Sequence, residues 1–292
     1  MFPKNTNRIL GGVELPNVVK RMLANRKVVT ALVILLPILI VVALGETITP
    51  YDPTATHPTD RFSGPSSTYL LGTDSQGRDL LSRTIVGGQS SLILGFGAAG
   101  LSLAVGVPIG LTAGFLKGWV DEVLMRLMDI MISIPSLILG ILILVSLGPS
   151  LINVILAVGF VYIPRVARVT RSETLSVSEE PFVLAAKARG DSTPRILFSE
   201  ILPNVSAPIT VEGSIRVGYG ILTGTGLTFL GLGAGAVHPD WGFMIAEARL
   251  HMFQSPWMLI WPGLMLVGTV MSMNMLGDGL RDVLDPRAQD SE

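Results

Sequence analysis

Cysteine is absent from this 292-residue chain, which excludes disulfides, thiolate metal sites and thiol redox chemistry. Charge is scarce: 15% of residues are Asp, Glu, Lys or Arg, where a soluble domain carries about 25%. The net charge of −1 offers no basic footprint for nucleic acid. Histidine occurs only as His57, His238 and His251, too scattered for a metal motif, so no metal site is expected. No Gly-Lys dipeptide occurs, so no phosphate loop of the Walker type exists, and ATP used by this protein must be hydrolysed on another chain. A His-Glu-x-x-His zinc motif and a Gly-x-Ser-x-Gly elbow are also missing, and neither a catalytic residue nor a cofactor site is expected.

What the chain has in quantity is apolar length. Hydrophobic residues make up 49% and mean hydropathy is +0.58, pointing to an all-α integral membrane protein in a lipid bilayer. Val28–Gly45 is an uncharged run of 18 residues, about 27 Å as a helix and close to a bilayer core. It exceeds the hydrophobic stretch of a signal peptide, although Ala43-Leu44-Gly45 could serve as a cleavage site. A second span ends at Leu116 and starts near Ser90. Ile130–Pro164 is 35 residues without charge, too long for one span, and Gly148-Pro149-Ser150 divides it into a third and a fourth. A fifth runs from about Ala207 to Leu230 and a sixth from Met252 to Gly277.

Six spans alternate the connections between two sides. With both termini inside, sixteen Lys and Arg fall on the inner side and four outside, which supports that orientation in a cell membrane. The expected organisation is a cytosolic tail over 1–27, a first helix over 28–47, an outer loop over 48–89, a permease core over 90–277 and a cytosolic tail over 278–292. The outer loop carries a short amphipathic helix around Asp79–Ile85, suited to the membrane surface. The core includes a long inner loop over 170–206.

Two patterns invite chemistry and have blander readings. Gly95-Phe96-Gly97-Ala98-Ala99-Gly100 matches Gly-x-Gly-x-x-Gly, but it lies inside a span and follows no strand. With Gly106, Gly110 and Gly114 it reads as a small-residue stripe for close packing, against another helix of this chain or a partner subunit. Glu212 and Arg216 are spaced i,i+4 towards the inner end of the fifth span, and Asp129 lies near the inner end of the third. They fit pairing and snorkelling at the inner interface, or the lining of a pathway. No carboxylate is expected at the middle of a span, which speaks against an ion-coupled secondary carrier. The absence of a polar constellation speaks against a membrane enzyme.

The inner loop is more regular than most connections between spans. Glu179-Glu180-Pro181 is a helix start, Leu184, Ala185, Ala186, Lys187 and Ala188 favour helix, and Gly190 is a natural helix end. Asp191-Ser192-Thr193-Pro194 opens a second helix, Arg195–Ile201, and Leu202-Pro203-Asn204 is expected to break the chain before the fifth span. The result is a helix–turn–helix whose alanines make a low surface able to enter a groove on another protein.

This loop resembles the EAA loop of binding-protein-dependent ABC importer permeases. That pattern is Glu-Ala-Ala, three residues, Gly, then nine residues and a hydrophobic-x-Leu-Pro. Here it reads Leu184-Ala185-Ala186, Gly190 and Glu200-Ile201-Leu202-Pro203, with Leu184 in place of the usual Glu and Glu200 in place of an apolar residue. Three more stretches narrow the likeness to the C-type subunit of the dipeptide/oligopeptide/nickel permeases: Leu71–Arg83, Phe229–Gly233 with Pro239–Gly242, and Leu276–Asp282 with Leu284–Arg287. The resemblance implies a MetI-like type I ABC importer permease fold. It also implies a second permease subunit, two cytosolic ATP-binding subunits and an extracellular solute-binding protein. Glu180, Pro181, Leu184, Ala185, Ala186, Ala188, Gly190, Asp191, Leu202 and Pro203 are then the coupling-loop residues. Relatives of this type import short peptides, and also nickel or oligosaccharides.

Overall fold

A computed structural model describes residues 15–235 and 239–284. The tail residues Lys4 and Arg8, His238, and the terminal Asp285-Pro286-Arg287 lie outside them. Among the described residues the chain forms helices α1 (Leu15–Ala24), α2 (Arg26–Leu44), α3 (Leu80–Leu116), α4 (Gly118–Ser133), α5 (Ser136–Leu147), α6 (Leu151–Val177), α7 (Pro181–Ala188), α8 (Thr193–Arg195), α9 (Leu202–Phe229), α10 (Trp241–Ala248) and α11 (Trp257–Leu284), and no strand.

Side-chain caps start several of them. The Asn25 side chain accepts from the Lys27 and Val28 amides at the head of α2, Asp79 from Ser82 on α3, and Ser150 from Asn153 on α6. Ser150 follows Gly148, whose φ is +85°, so the expected turn between α5 and α6 is present. A second break was not expected. Proline disfavours helical backbone in the residue before it, and Ile134, ahead of Pro135, is extended. α4 and α5 therefore meet at a 91° elbow.

Among the described residues, four segments are long and apolar enough to cross a membrane: Arg26–Thr47, Leu80–Leu116, Leu151–Val177 and Trp257–Leu284. The bent pair α4–α5 makes a fifth if it is one span. The expected six are thus four or five by length and apolarity. α9 drops out because Gly, Ser, Thr, Glu212 and Arg216 dilute its apolar residues, although it is 28 residues long.

Small residues place α3 at the centre. It runs parallel to α6, and a Cβ at Gly110 would come 2.5 Å from the Ala167 carbonyl oxygen. Gly106 meets Val166 and Gly114 meets Thr174 in the same register, so the stripe serves a helix of this chain. On its other side α3 packs antiparallel to α9, with Gly95 on Ile221 and Gly224 on Leu94. α9 packs on α11 through Gly218 and Gly277, and α11 on α2 through Gly279 and Val28.

The expected surface helix at Asp79–Ile85 is instead the start of α3, and Leu80, Ser82, Arg83, Thr84 and Ile85 are buried. A 37-residue helix is about 55 Å long, more than a bilayer core, so its first turns are clothed by protein. The clothing is the segment between Thr47 and Asp79 together with α10. There Arg78 reaches Asp74 at 2.6 Å and Glu247 at 2.9 Å, while Arg83 reaches Glu247 at 2.9 Å. The Trp241 indole donates to the Thr84 carbonyl at 2.9 Å. Asp240 caps α10 and accepts from the Thr228 hydroxyl at 2.6 Å. Burial pushes the Asp240 carboxyl above its ordinary range, against the lowering effect of its hydrogen bonds from Thr228, Phe243 and Gly242.

Candidate coupling site

The connection between α6 and α9 stands at the end of the bundle opposite this far-end assembly. α6 stops at Ser178, whose amide bonds the Thr174 carbonyl at 2.8 Å. Glu179 then pairs with Lys117 at the α3–α4 turn, 2.9 Å away. That hydrogen bond and the Lys117 charge hold the Glu179 carboxyl below the usual carboxylate range. Glu180 is extended at the head of α7, and Pro181 occupies the first helical turn, where its missing N–H costs no bond.

α7 ends in a Schellman motif. Gly190 has φ +79°, its amide donates to Lys187 at 3.0 Å, and the Asp191 amide donates to Ala186 at 3.2 Å. Arg189 pairs with Asp191 at 2.9 Å and lies 3.6 Å from Glu200, so the acid at 200 has a partner within the loop. The Lys187 amino group lies over the Phe115 ring, 4.5 Å from its centre, fixing α7 to the end of α3.

Leu202-Pro203-Asn204 does not break the chain. α8 passes through a π turn, Ile196–Ile201, straight into α9. The Leu202 amide bonds Leu197, five residues back. Proline inside a helix loses a backbone bond and crowds the carbonyl four residues earlier, and the wide turn ahead of Pro203 makes room for it.

The predicted loop residues divide between two faces. Val183 and Ala186 are buried with Ile196, Leu197, Ile201, Val205 and Leu111 in a small core beneath α3, with Leu202 packed against it. Glu180, Pro181, Leu184, Ala185, Ala188 and Gly190 are exposed, as is Pro203, while Asp191 is half-buried by its ion pairs. Ala186 is therefore the seat of the loop and not part of its outward surface. Phe182, Leu184 and Phe198 add exposed apolar area to that surface, and the sequence reading passed over both phenylalanines. Phe182 and Phe198 stand on separate elements, so no local spacing joins them in the sequence.

Glu212 and Arg216 were expected near the inner end of a span. They lie at the middle of α9, because that helix begins at Leu202. Arg216 is buried and Glu212 partly so, the two side chains are in contact at 2.7 Å, and Arg216 lies between the Tyr162 and Tyr219 rings, 5.3 and 5.1 Å from their centres.

Comparison with known proteins decides the family. Residues 106–290 match the binding-protein-dependent transport system inner membrane component, and residues 17–65 match the N-terminal TM domain of oligopeptide transport permease C. The chain belongs to this permease family. It is 39% identical to the dipeptide transport system permease protein DppC of Alkalihalophilus pseudofirmus, over 92% of this chain and 88% of that protein. It is 37% identical to the di/tripeptide transport system permease protein DppC of Pseudomonas aeruginosa, over 91% and 90%. The glutathione transport system permease protein GsiD of Pectobacterium atrosepticum is likewise 37% identical, over 92% and 89%. A structure of the MetNI methionine ABC transporter in inward-facing conformations superposes with TM-score 0.54 over 66% of this chain and 93% of that one. At 18% identity it shows the fold, an all-helical MetI-like permease. The protein is thus a membrane transport component and not an enzyme.

Proposed function

We propose that this permease forms half of the translocation pore of an ATP-driven importer of short peptides. A second, related permease completes the pore, two ATP-binding subunits dock on the loop end, and a solute-binding protein delivers cargo at the far end. The observation that carries the proposal is the α7 seat. A short helix is held rigidly by its own core, by the Lys187–Phe115 contact and by the Lys117–Glu179 pair, while a low face of Leu184, Ala185 and Ala188 is left uncovered. The peptide-transport names of the relatives support the cargo. The lysine and arginine asymmetry supports a cytosolic loop end and cytosolic termini.

The test is uptake by the assembled transporter in proteoliposomes, with trialanine as cargo. Uptake should require ATP on the loop side and binding protein on the far side, and should persist when the proton gradient is collapsed at constant ATP. Loss of uptake with the gradient alone would mean an ion-coupled carrier. Uptake of nickel or oligosaccharide in place of trialanine would keep the importer and replace the cargo.

A further inference from the structure

α6 carries a ladder of three arginines one turn apart, Arg165, Arg168 and Arg171. The two nearer the loop end are neutralised by α4: Arg171 pairs with Asp121 and Arg168 with Asp129. α4 runs antiparallel to α6 here, and beyond Asp129 it continues only to Ser133. There the helix stops and swings away through the 91° elbow. Arg165 is exposed, and no carboxylate among the described residues pairs with it.

Arg165 is at the midpoint of α6, as Arg216 is at the midpoint of α9. Between them stand Tyr162, one turn from Arg165, and Tyr219. Tyr162 hydrogen-bonds the Thr223 hydroxyl at 2.5 Å, and both rings flank the Arg216 guanidinium. Glu212 touches Arg216 without hydrogen-bond geometry, leaving its Oε1 and the Arg216 Nε unsatisfied. The patch therefore holds two guanidinium groups, one carboxylate and two phenols. An uncompensated arginine at a helix centre does not face lipid tails; it faces water, a partner or a ligand. One net positive charge among polar groups suits recognition of a carboxylate.

Resting on the peptide-permease reading, we propose that Arg165, with Arg216 behind Tyr162 and Tyr219, is a station in the transport path that receives the carboxylate end of the cargo. Arg165 makes the charge-assisted contact, while Tyr219, half-exposed at the mouth of the patch, offers its ring to the neighbouring peptide group.

The absence of cysteine makes the test direct. Arg165→Cys is built into the complete transporter, with partner subunits also freed of cysteine. Trialanine uptake should fall about ten-fold, the effect of one charge-assisted hydrogen bond, while the assembled complex is recovered in normal amount. A cationic thiosulfonate should modify the cysteine and restore uptake, and an anionic one should modify it without restoring. Trialanine should slow the modification, and trialanine amide should not. Tyr219→Cys should show the same cargo protection and keeps the test valid if the first variant assembles poorly. No modification in either the resting or the ATP-bound transporter would overturn the proposal, because the site would not be aqueous. Rescue by both reagents, or equal protection by acid and amide, would also overturn it and indicate a contact with the second permease. If the parent complex imports no trialanine at all, it is the peptide reading that fails, and this proposal falls with it.

Discussion

The Asp191 amide reaches back over Gly190 to the Ala186 carbonyl, 3.2 Å away, and so closes the end of α7. The closure needs φ +79° at Gly190. An L residue there costs about 1–2 kcal/mol, and a β-branched one more. Gly190→Val should leave the protein in the membrane in near-normal amount but turn α7 away from its seat. Substrate-stimulated ATP hydrolysis by the assembled transporter should drop several-fold. Full stimulation would show that the aim of α7 does not matter.

The two faces of α7 give a paired test. Ala185 is exposed and Ala186 is buried in the loop's own core. Ala185→Arg should be neutral for folding, within about 0.5 kcal/mol as for most surface changes, yet should release the ATP-binding subunits on purification. Ala186→Arg forces a guanidinium into an apolar core and should lower the amount of folded protein itself. Retained subunits and normal transport in Ala185→Arg would remove this face from the coupling surface.

Glu247 sits between Arg78 and Arg83, 2.9 Å from each. Removing one member of a buried ion cluster leaves an uncompensated charge and costs about 3–5 kcal/mol. Glu247→Ala should therefore reduce thermal stability strongly, whereas Glu179→Ala, which removes the exposed pair with Lys117, should leave it nearly unchanged. Equal, small losses in both would show that the far-end cluster is not what holds α10.

The orientation is open to direct labelling. Ser66 and Ser192 are both exposed, one in the far-end segment and one in the loop. An impermeant maleimide on intact cells should label Ser66→Cys and spare Ser192→Cys. The reverse pattern would invert the topology, and equal labelling would contradict an odd number of crossings between the two sites.

Local turn chemistry made parts of the fold legible in sequence. Gly148-Pro149-Ser150 and Gly190 end helices by rules that act over a few residues, and both do so here. Proline was less readable. Pro37, Pro108, Pro164, Pro208 and Pro262 lie within helices, Pro203 follows a π turn, and Pro135 alone sits at the elbow. Whether a proline bends or breaks a helix depends on the neighbours that satisfy the freed backbone groups, and no short window contains them. The pairing of Arg78 and Arg83 with Glu247 spans more than 160 positions and left no local trace. α9 begins at Leu202, ahead of the expected span start near Ala207, because the helix accommodates Pro203, and Arg216 thereby stands near the middle of the helix. In the loop, the helical periodicity of α7 places Val183 and Ala186 on one face, but only the packed structure shows that this face is the inner one.

The π turn at Ile196–Ile201 sets a phase. It winds one residue more than a regular helix would place between the same flanks. Each residue turns an α-helix by about 100°, so a deletion within α9 would swing everything ahead of it, α7 included, by roughly that angle about the helix axis. A deletion within Ile196–Ile201 could instead be taken up by tightening the wide turn, at the cost of pressing Pro203 on the preceding carbonyl. The rod from Thr193 to Phe229 thus has slack at one place, where the azimuth of the docking face can be reset without moving the azimuth of Arg216.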